Sequence, residues 1–441
     1  MLNSINELTK EFLKQSKNKP VRVISHFDTD GITSAAIISK TLKRLDKKFS
    51  IHIVKSLDKN IIERELKKHE REVLLFTDLA SGSLDYFQDL KQPIFILDHH
   101  EIDKEKLEKI KEKINIINPH LFNEEELCSS GICYLFSKAI SKDNIDLSKL
   151  AIIGMIGDRH EDKITKINQQ IITDSKDLEI KKGLLIFSAT RPLKRSLEYS
   201  TSTYIPGVTG SSQGVTELLR NVNIPPTKTL YELTDEEMSK LVTAVMVKRA
   251  NYRGKEEIIG NIYILKFFNK KEDARELSVL INACSRLGHA DVALSFCLEN
   301  EQARVKAQDI YVEYKQELIS ALKYVETAPK IKGKGFVIIN GKDEIKDSII
   351  GTITSILSSS LSYEQGTVLI GMAHNKDQIK VSARIVGEGR NLKDVLEKTL
   401  LSFEAEFGGH QKAAGCLIRK QDEQKFIEIL TKNLEIEVMK V

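Results

Sequence analysis

Four short segments of this chain concentrate aspartate and histidine. They are His26-Phe27-Asp28-Thr29-Asp30-Gly31, Thr77-Asp78, Asp98-His99-His100 and Gly154-Met155-Ile156-Gly157-Asp158. Carboxylates and imidazoles gathered at one place repel their like-charged neighbours, and one or two divalent cations resolve that repulsion. Mixed histidine and aspartate donors suit Mn²⁺, with Mg²⁺, Zn²⁺ or Co²⁺ as alternatives. Two such ions about 3.5–4 Å apart can share a bridging carboxylate, activate a water and stabilise a departing phosphoryl oxygen. Each segment alone has a plainer reading. An acid after a strand is commonly a helix N-cap, a His-His pair is commonly solvated, and a Gly-x-x-Gly spacing also permits close helix packing. Their joint occurrence in one stretch of alternating elements favours the metal site.

The elements that must position these residues read clearly in the first 160 positions. Short apolar strands are expected at 21–25, 49–54, 73–76, 94–97 and 114–117, and helices at 32–45, 60–69, 129–140 and 147–156. Strands alternating with helices imply a largely parallel, doubly wound sheet, in which ligands gather beyond the carboxyl ends of the strands. Three of the four segments follow such strands directly. Alternation along extended chain would turn His26, Asp28 and Asp30 toward one pocket. The pattern weakens over 183–220, where 204–207 and 210–214 are turn-rich, and Ile224-Pro225-Pro226 is the best linker signal. Helical spacing returns at 235–249, 274–287 and 302–324. A second boundary is expected at 331–335, followed by strands at 336–339, 368–372 and 379–385 and helices at 349–361 and 392–403. The domains expected are 1–225, 226–330 and 331–441. The fold class is α/β: an N-terminal doubly wound parallel-sheet lobe, a helical middle segment and a smaller C-terminal α/β lobe, with the active-site cleft between lobes.

Near the C-terminus, Gly408 and Gly409 would let backbone N–H groups approach an anion, and His410 could donate to the same phosphate. Ala413-Ala414-Gly415 is expected to open a closely packed helix. Arg384, on an alternating strand, is a second phosphate candidate. Weaker candidates are the basic turn Arg191-Pro192-Leu193-Lys194-Arg195, the helical residues Asn282, Arg286 and His289, His160 beside Asp158, and His374 in an expected solvated turn.

The four acidic segments resemble the four motifs of the DHH phosphoesterases. Phe407-Gly408-Gly409-His410-Gln411-Lys412-Ala413-Ala414-Gly415 is similar to the signature of the DHH-associated domain, with Phe407 where that pattern has its first glycine. Within the family, the length and the stretches 204–210 and 280–288 look like the archaeal RecJ-like single-strand exonucleases, the GINS-associated nucleases. The resemblance implies that His26, Asp28 and Asp78 hold one metal. Asp30, Asp78, His99 and Asp158 would hold the second, with Asp78 bridging. Asp98 would stand behind the ligands and fix an imidazole tautomer. His100 would face the scissile phosphate, and Arg384, Gly408, Gly409 and His410 would bind the substrate.

The chain has 67 Lys and Arg against 63 Asp and Glu, a net charge of +4 that excludes a uniformly basic coat. Binding to nucleic acid would therefore rest on a local groove. The five cysteines show no CxxC pair, which argues against a zinc cluster or disulfide framework and for buried thiols in a cytoplasmic protein. No signal peptide or membrane span is expected, and no membrane partner. The function expected is a two-metal, manganese-dependent phosphodiesterase. It would act by in-line hydroxide attack as an exonuclease that releases mononucleotides from single-stranded DNA or RNA in replication or repair. The lobes would close on a single strand. The alternatives are a small-substrate phosphodiesterase for oligoribonucleotides or cyclic dinucleotides, a metal-dependent pyrophosphatase, and a replication scaffold that binds GINS and the replicative helicase.

Overall fold

The computed structural model describes residues 1–59, 61–63, 71–88, 91–122, 126–186, 188–200, 203–250, 258–360, 362–403 and 405–438. Most of the charged helix expected at 60–69 lies outside these residues. The chain divides within its longest described helix, after Tyr311, into two compact units.

The first unit opens with α1 (Leu2–Gln15), β1 (Val21–His26), α2 (Thr29–Arg44), β2 (Phe49–Val54), β3 (Val73–Thr77), β4 (Ile94–Leu97), α3 (Lys104–Ile110) and β5 (Ile114–Ile117). Its sheet has the order β2-β1-β3-β4-β5, and every neighbouring pair is parallel. All residues of β3 and β4 are buried, as strands covered on both faces require. One face packs Val21, Val23, Leu75 and Phe95 against α1, α2, α4 (Ser129–Ile140) and residues of α5 (Ser148–Gly157). The other packs Ile24, Leu74, Phe76 and Ile96 against Leu84, Phe87, Leu107 and Ile110. The strand order reverses at β1, between β2 and β3, which leaves a crevice at the carboxyl ends of β1 and β3. The acidic segments lie there.

Beyond α6 (Lys166–Asp174), the strands β6 (Glu179–Leu184), β7 (Ile259–Phe267) and β8 (Lys270–Asp273) form an antiparallel sheet. The sequence reading anticipated none of these strands. Helices α7 (Leu193–Glu198), α8 (Ser212–Asn221) and α9 (Asp235–Lys248) share a core with β6 and β7 through Leu184, Leu193, Leu218, Leu241 and Ile262. Helices α10 (Ala274–Arg286), α11 (Ala290–Cys297) and α12 (Glu301–Thr327) complete the helical middle.

The second unit contains β9 (Lys330–Gly333), β10 (Phe336–Asn340), α13 (Asp347–Ser358), β11 (Val368–Asn375), β12 (Gln378–Ile385), α14 (Leu392–Leu400), β13 (Glu406–His410), β14 (Ala413–Arg419) and α15 (Glu423–Val438). The sheet order is β13-β14-β12-β11-β10-β9. Strand β9 occupies the stretch expected as a boundary. The helix expected from Ala413 is instead β14, paired with β13 across the tight turn Gln411-Lys412. Its burial alternates through Ala414, Cys416 and Ile418, the period of a strand, and those three enter the core. His374, expected in a solvated turn, has a side chain only 6% exposed and lies between Asp343 and Glu423.

Candidate metal centre

His26 ends β1, and the chain then turns directly into α2. The extended alternation expected across His26, Asp28 and Asp30 is therefore replaced by a strand-to-helix turn. Asp28 is the N-cap of α2: its Oδ1 accepts the Gly31 N–H at 3.0 Å. Its other oxygen, Oδ2, lies 3.0 Å from His26 Nδ1. Asp30, in the first helical turn, reaches the N-terminus of α4. Its oxygens accept the Ser129 and Ser130 N–H groups at 2.7 and 3.0 Å, where a helix favours an anion.

Asp78 follows β3 in the left-handed region, at φ 60°, a strained backbone for a residue with a side chain. Its side chain is 1% exposed. Asp78 Oδ2 lies 3.4 Å from His26 Nδ1, and Oδ1 lies 3.5 Å from His99 Nε2. His99 Nε2 is also 3.2 Å from Asp158 Oδ2. Asp158 is the residue that ends α5. None of these approaches has hydrogen-bond geometry: His26 Nδ1, both oxygens of Asp78 and Asp158 Oδ2 are buried without a hydrogen-bond partner.

An unpaired buried carboxylate is costly. Lone pairs that converge from aspartates and imidazoles without a shared hydrogen are the donor arrangement of a cation site. These residues therefore fit divalent ions. Three overlapping groups have donor atoms within 4.8 Å of one another: His26, Asp28 and Asp78; Asp78, His99 and His100; and His99, Asp158 and His160. Asp30 joins none of these groups among the described residues.

In the metal-free protein, protons carry the compensation. Burial resists a charge on His99, but the neighbouring Asp78 and Asp158 outweigh it and raise the imidazole to about 10. Burial likewise opposes a charged His26, and Asp28 and Asp78 overcome it and raise its pKa. Burial, then the charge of Asp78, raises Asp30 to about 7. Burial and Asp30 raise Asp158. Asp28 is instead held low, because His26 outweighs its burial. Burial and the charge of His99 lower the pKa of His160.

Asp98 is fully buried after β4. Its Oδ1 accepts from the His99 N–H at 2.8 Å, the His100 N–H at 3.3 Å and His100 Nδ1 at 2.7 Å, and its Oδ2 accepts from the Ser81 N–H at 2.9 Å. Burial favours a neutral Asp98, but the His100 contact outweighs it and holds the carboxyl low. Asp98 in turn raises His100 against its own burial. The His100 side chain is 51% exposed, against 20% for His99. Its Nδ1 is committed to Asp98, and Nε2 is left for a ligand.

Gly154 explains the small residues of the fourth segment. A Cβ there would lie 2.1 Å from Ser130 Oγ, 2.5 Å from Thr33 Oγ1 and 2.6 Å from Asp30 Oδ1.

In the second unit, Arg384 of β12 pairs with Ala413, which pairs with His410 of β13. Directly opposed residues face the same side of a sheet, so Arg384 and His410 share a face, separated by an alanine. The adjoining row is Ser382, Gly415 and Gly408, a floor of small side chains. Arg384 Nε donates to Ser355 Oγ at 2.9 Å. His410 Nδ1 accepts the Lys412 N–H at 3.3 Å, so the proton of the neutral ring sits on Nε2. Gly409 has φ 140°, and a Cβ there would lie 2.4 Å from Ala414 Cα.

Sequence reasoning missed Asn118, which follows β5 and is fully buried. Its Nδ2 donates to Ser81 Oγ and to the His100 carbonyl, both at 2.9 Å. The signal was available as an Asn-Pro turn at the end of a strand of the same sheet. Also missed was Thr29, whose hydroxyl donates to the Ser278 carbonyl at 2.9 Å and ties the first acidic segment to α10. In the basic turn at 191–195, Arg191 Nε lies 3.2 Å from Glu276.

Three family models match the chain: the DHH family N-terminal domain over residues 20–157, the DHH-CID domain over 186–259 and the DHHA1 domain over 333–435. A protein of Methanocaldococcus jannaschii, described as uncharacterized protein MJ0831, is 30% identical over 442 residues, which is 97% of this chain and 96% of that protein. The chain belongs to the DHH phosphoesterase family. Solved structures share the fold of this DHH protein. Exonuclease RecJ bound to manganese matches with a TM-score of 0.60 at 16% identity, over 98% of this chain and 93% of that one. CDC45 from Entamoeba histolytica matches with a TM-score of 0.69 at 13% identity, over 98% and 99%. No described helix of the DHH protein is long and apolar enough to cross a membrane.

Proposed function

We propose that this DHH protein is a manganese-dependent phosphodiesterase that acts as an exonuclease on single-stranded DNA or RNA and releases mononucleotides during replication or repair. The observation that carries the reading is Asp78, a buried carboxylate whose two unpaired oxygens face different donors, Oδ2 toward His26 and Oδ1 toward His99. His26, Asp28 and Asp78 would hold one ion, and Asp30, Asp78, His99 and Asp158 the other. Asp30 keeps acceptor capacity for this, because a carboxylate offers about four lone-pair sites. When bound, two such ions supply Lewis-acid stabilisation and a water of lowered pKa.

The remaining work belongs to the chain. His100, whose pKa Asp98 raises, would donate from Nε2 to an oxygen of the scissile phosphate and stabilise its growing charge. Asp98 holds that ring and the two backbone N–H groups before it in one geometry. Arg384, His410 Nε2 and the backbone at Gly408 and Gly409 bind the phosphate of the terminal nucleotide. The shared fold with a manganese-bound exonuclease supports this reading.

A second reading, a replication scaffold that binds GINS and the replicative helicase, is favoured by the TM-score of 0.69 to CDC45. The two readings are compatible, and the complete set of acidic residues favours activity. The test compares, with Mn²⁺ present, hydrolysis of a long labelled single strand and of a dinucleotide. Faster mononucleotide release from the long strand supports the exonuclease. Cleavage of the dinucleotide alone moves the assignment to a small-substrate phosphodiesterase, and cleavage of neither leaves the scaffold.

A further inference from the structure

One imidazole beside the candidate ligands has no part in the set just described. His160 lies two residues beyond Asp158, and a donor atom of each of His99, Asp158 and His160 falls within 4.8 Å of the others. The His160 and His99 rings have centroids 5.9 Å apart. Nδ1 of His160 is buried without a hydrogen-bond partner, as is Oδ2 of Asp158.

The backbone between them is specially shaped. Arg159 adopts the left-handed region at φ 61°, which arginine does only against steric resistance. That turn ends α5 and starts the short 3-10 turn that carries His160. The next residue, Glu161, lies 3.4 Å from Arg275 Nε of α10, with both side chains largely buried. The turn is thus anchored from a separate element. A strained residue, an anchored turn and an unpaired buried nitrogen all lie where they bring a second imidazole to Asp158 and His99.

We propose that His160 is a further nitrogen ligand of the cation held by His99 and Asp158, so that the two metal positions differ in kind. This rests on the reading that the acidic segments bind metal. The position at His26, Asp28 and Asp78 has one nitrogen donor and two carboxylates. The second position, where Asp30, Asp78 and Asp158 are the proposed carboxylates, would have two nitrogens, from His99 and His160. Imidazole donors favour Mn²⁺, Co²⁺ and Zn²⁺ over Mg²⁺, so a second imidazole shifts a site toward those metals. The His160 position should therefore retain a transition metal in the presence of excess Mg²⁺, while the other position exchanges.

The experiment titrates Co²⁺ into the metal-free full-length protein and follows its visible absorption, with and without Mg²⁺. The wild type should show two binding phases, of which one resists Mg²⁺ competition. His160→Gln and His160→Asn should weaken that phase by about tenfold or more and leave the other unchanged, with unaltered far-UV circular dichroism. Independently of any variant, Co²⁺-loaded wild type should show hyperfine-shifted imidazole N–H resonances from three histidines, His26, His99 and His160. Unchanged affinities in both folded variants, or shifted resonances from only two histidines, overturn the proposal. A wild type that binds no Co²⁺ at all instead overturns the metal reading on which it rests.

Discussion

Replacing Asp98 by asparagine keeps the shape of the side chain and changes one oxygen to an amide donor. Asp98 sits fully buried and accepts from four donors, three on Oδ1 and one on Oδ2. In the better of the two orientations the amide oxygen keeps the histidine side, and the new NH₂ faces the Ser81 N–H. One hydrogen bond to a charged acceptor is lost, worth about 1.5–3 kcal/mol, and the Ser81 N–H is left buried and unpaired. The three remaining bonds weaken as the acceptor loses its charge. We expect Asp98→Asn to destabilise the first unit by about 2–4 kcal/mol. The assay is urea unfolding of the metal-free protein followed by circular dichroism, with the two units fitted as separate transitions. The same substitution removes the carboxylate that raises His100, so the NMR titration of that imidazole should move down toward its ordinary value. A loss below about 0.5 kcal/mol, the range of surface substitutions, or an unmoved His100 titration would refute the role given to Asp98.

Other outcomes follow from the same geometry. His99 is raised to about 10 and Asp30 to about 7. A raised histidine stabilises the fold fully below its unfolded pKa and loses that stabilisation as pH climbs through its folded pKa; a raised aspartate also makes the folded state bind the proton more tightly. Metal-free protein should therefore melt lower at about pH 9 than at about pH 6, with Mn²⁺ reversing the trend, and a melting temperature that rises with pH without metal would contradict this. Gly154→Ala gains about 1 kcal/mol of helix propensity but overpacks Ser130, Thr33 and Asp30 at a cost of about 1–3 kcal/mol. Calorimetric titration should show weaker Mn²⁺ binding, and unchanged affinity would contradict the close approach. Asn118→Ala strands Ser81 and the His100 carbonyl and should lower kcat more than it raises KM, at a stability cost of about 1–3 kcal/mol; a change confined to KM would count against a role in setting the His100 loop.

The sheet and the position of the acidic segments were legible because β3 and β4 are short, fully buried and almost wholly apolar runs followed at once by their acids. Burial on both faces makes such strands conspicuous. The local geometry of the first segment was not legible. Residues 26–30 have no pattern that separates continued strand from an immediate helix, and the deciding feature is tertiary: Asp30 finds the N-terminus of α4 about 100 residues away. Ala413-Ala414-Gly415 looked helical because small residues suit either period. Only its partners across the hairpin and on β12 settle it as strand. Strands β6 and β8 are largely exposed and lysine-rich, so they lack the apolar alternation that marks a strand. Asn118 bears no charge and works through neutral hydrogen bonds to backbone and serine, so no charged cluster marks it. The position of His160 is not legible, since the left-handed Arg159 before it has no mark in the sequence.

The proposed mechanism requires Asp78 to serve two cations at once. Its direct test is Mn²⁺-dependent digestion of end-labelled single-stranded DNA and RNA by the wild type and by Asp78→Ala. We predict mononucleotides from the wild type, none after chelation, and none from Asp78→Ala even at raised Mn²⁺. Full activity in Asp78→Ala, or no cleavage of either strand by the wild type, would contradict it.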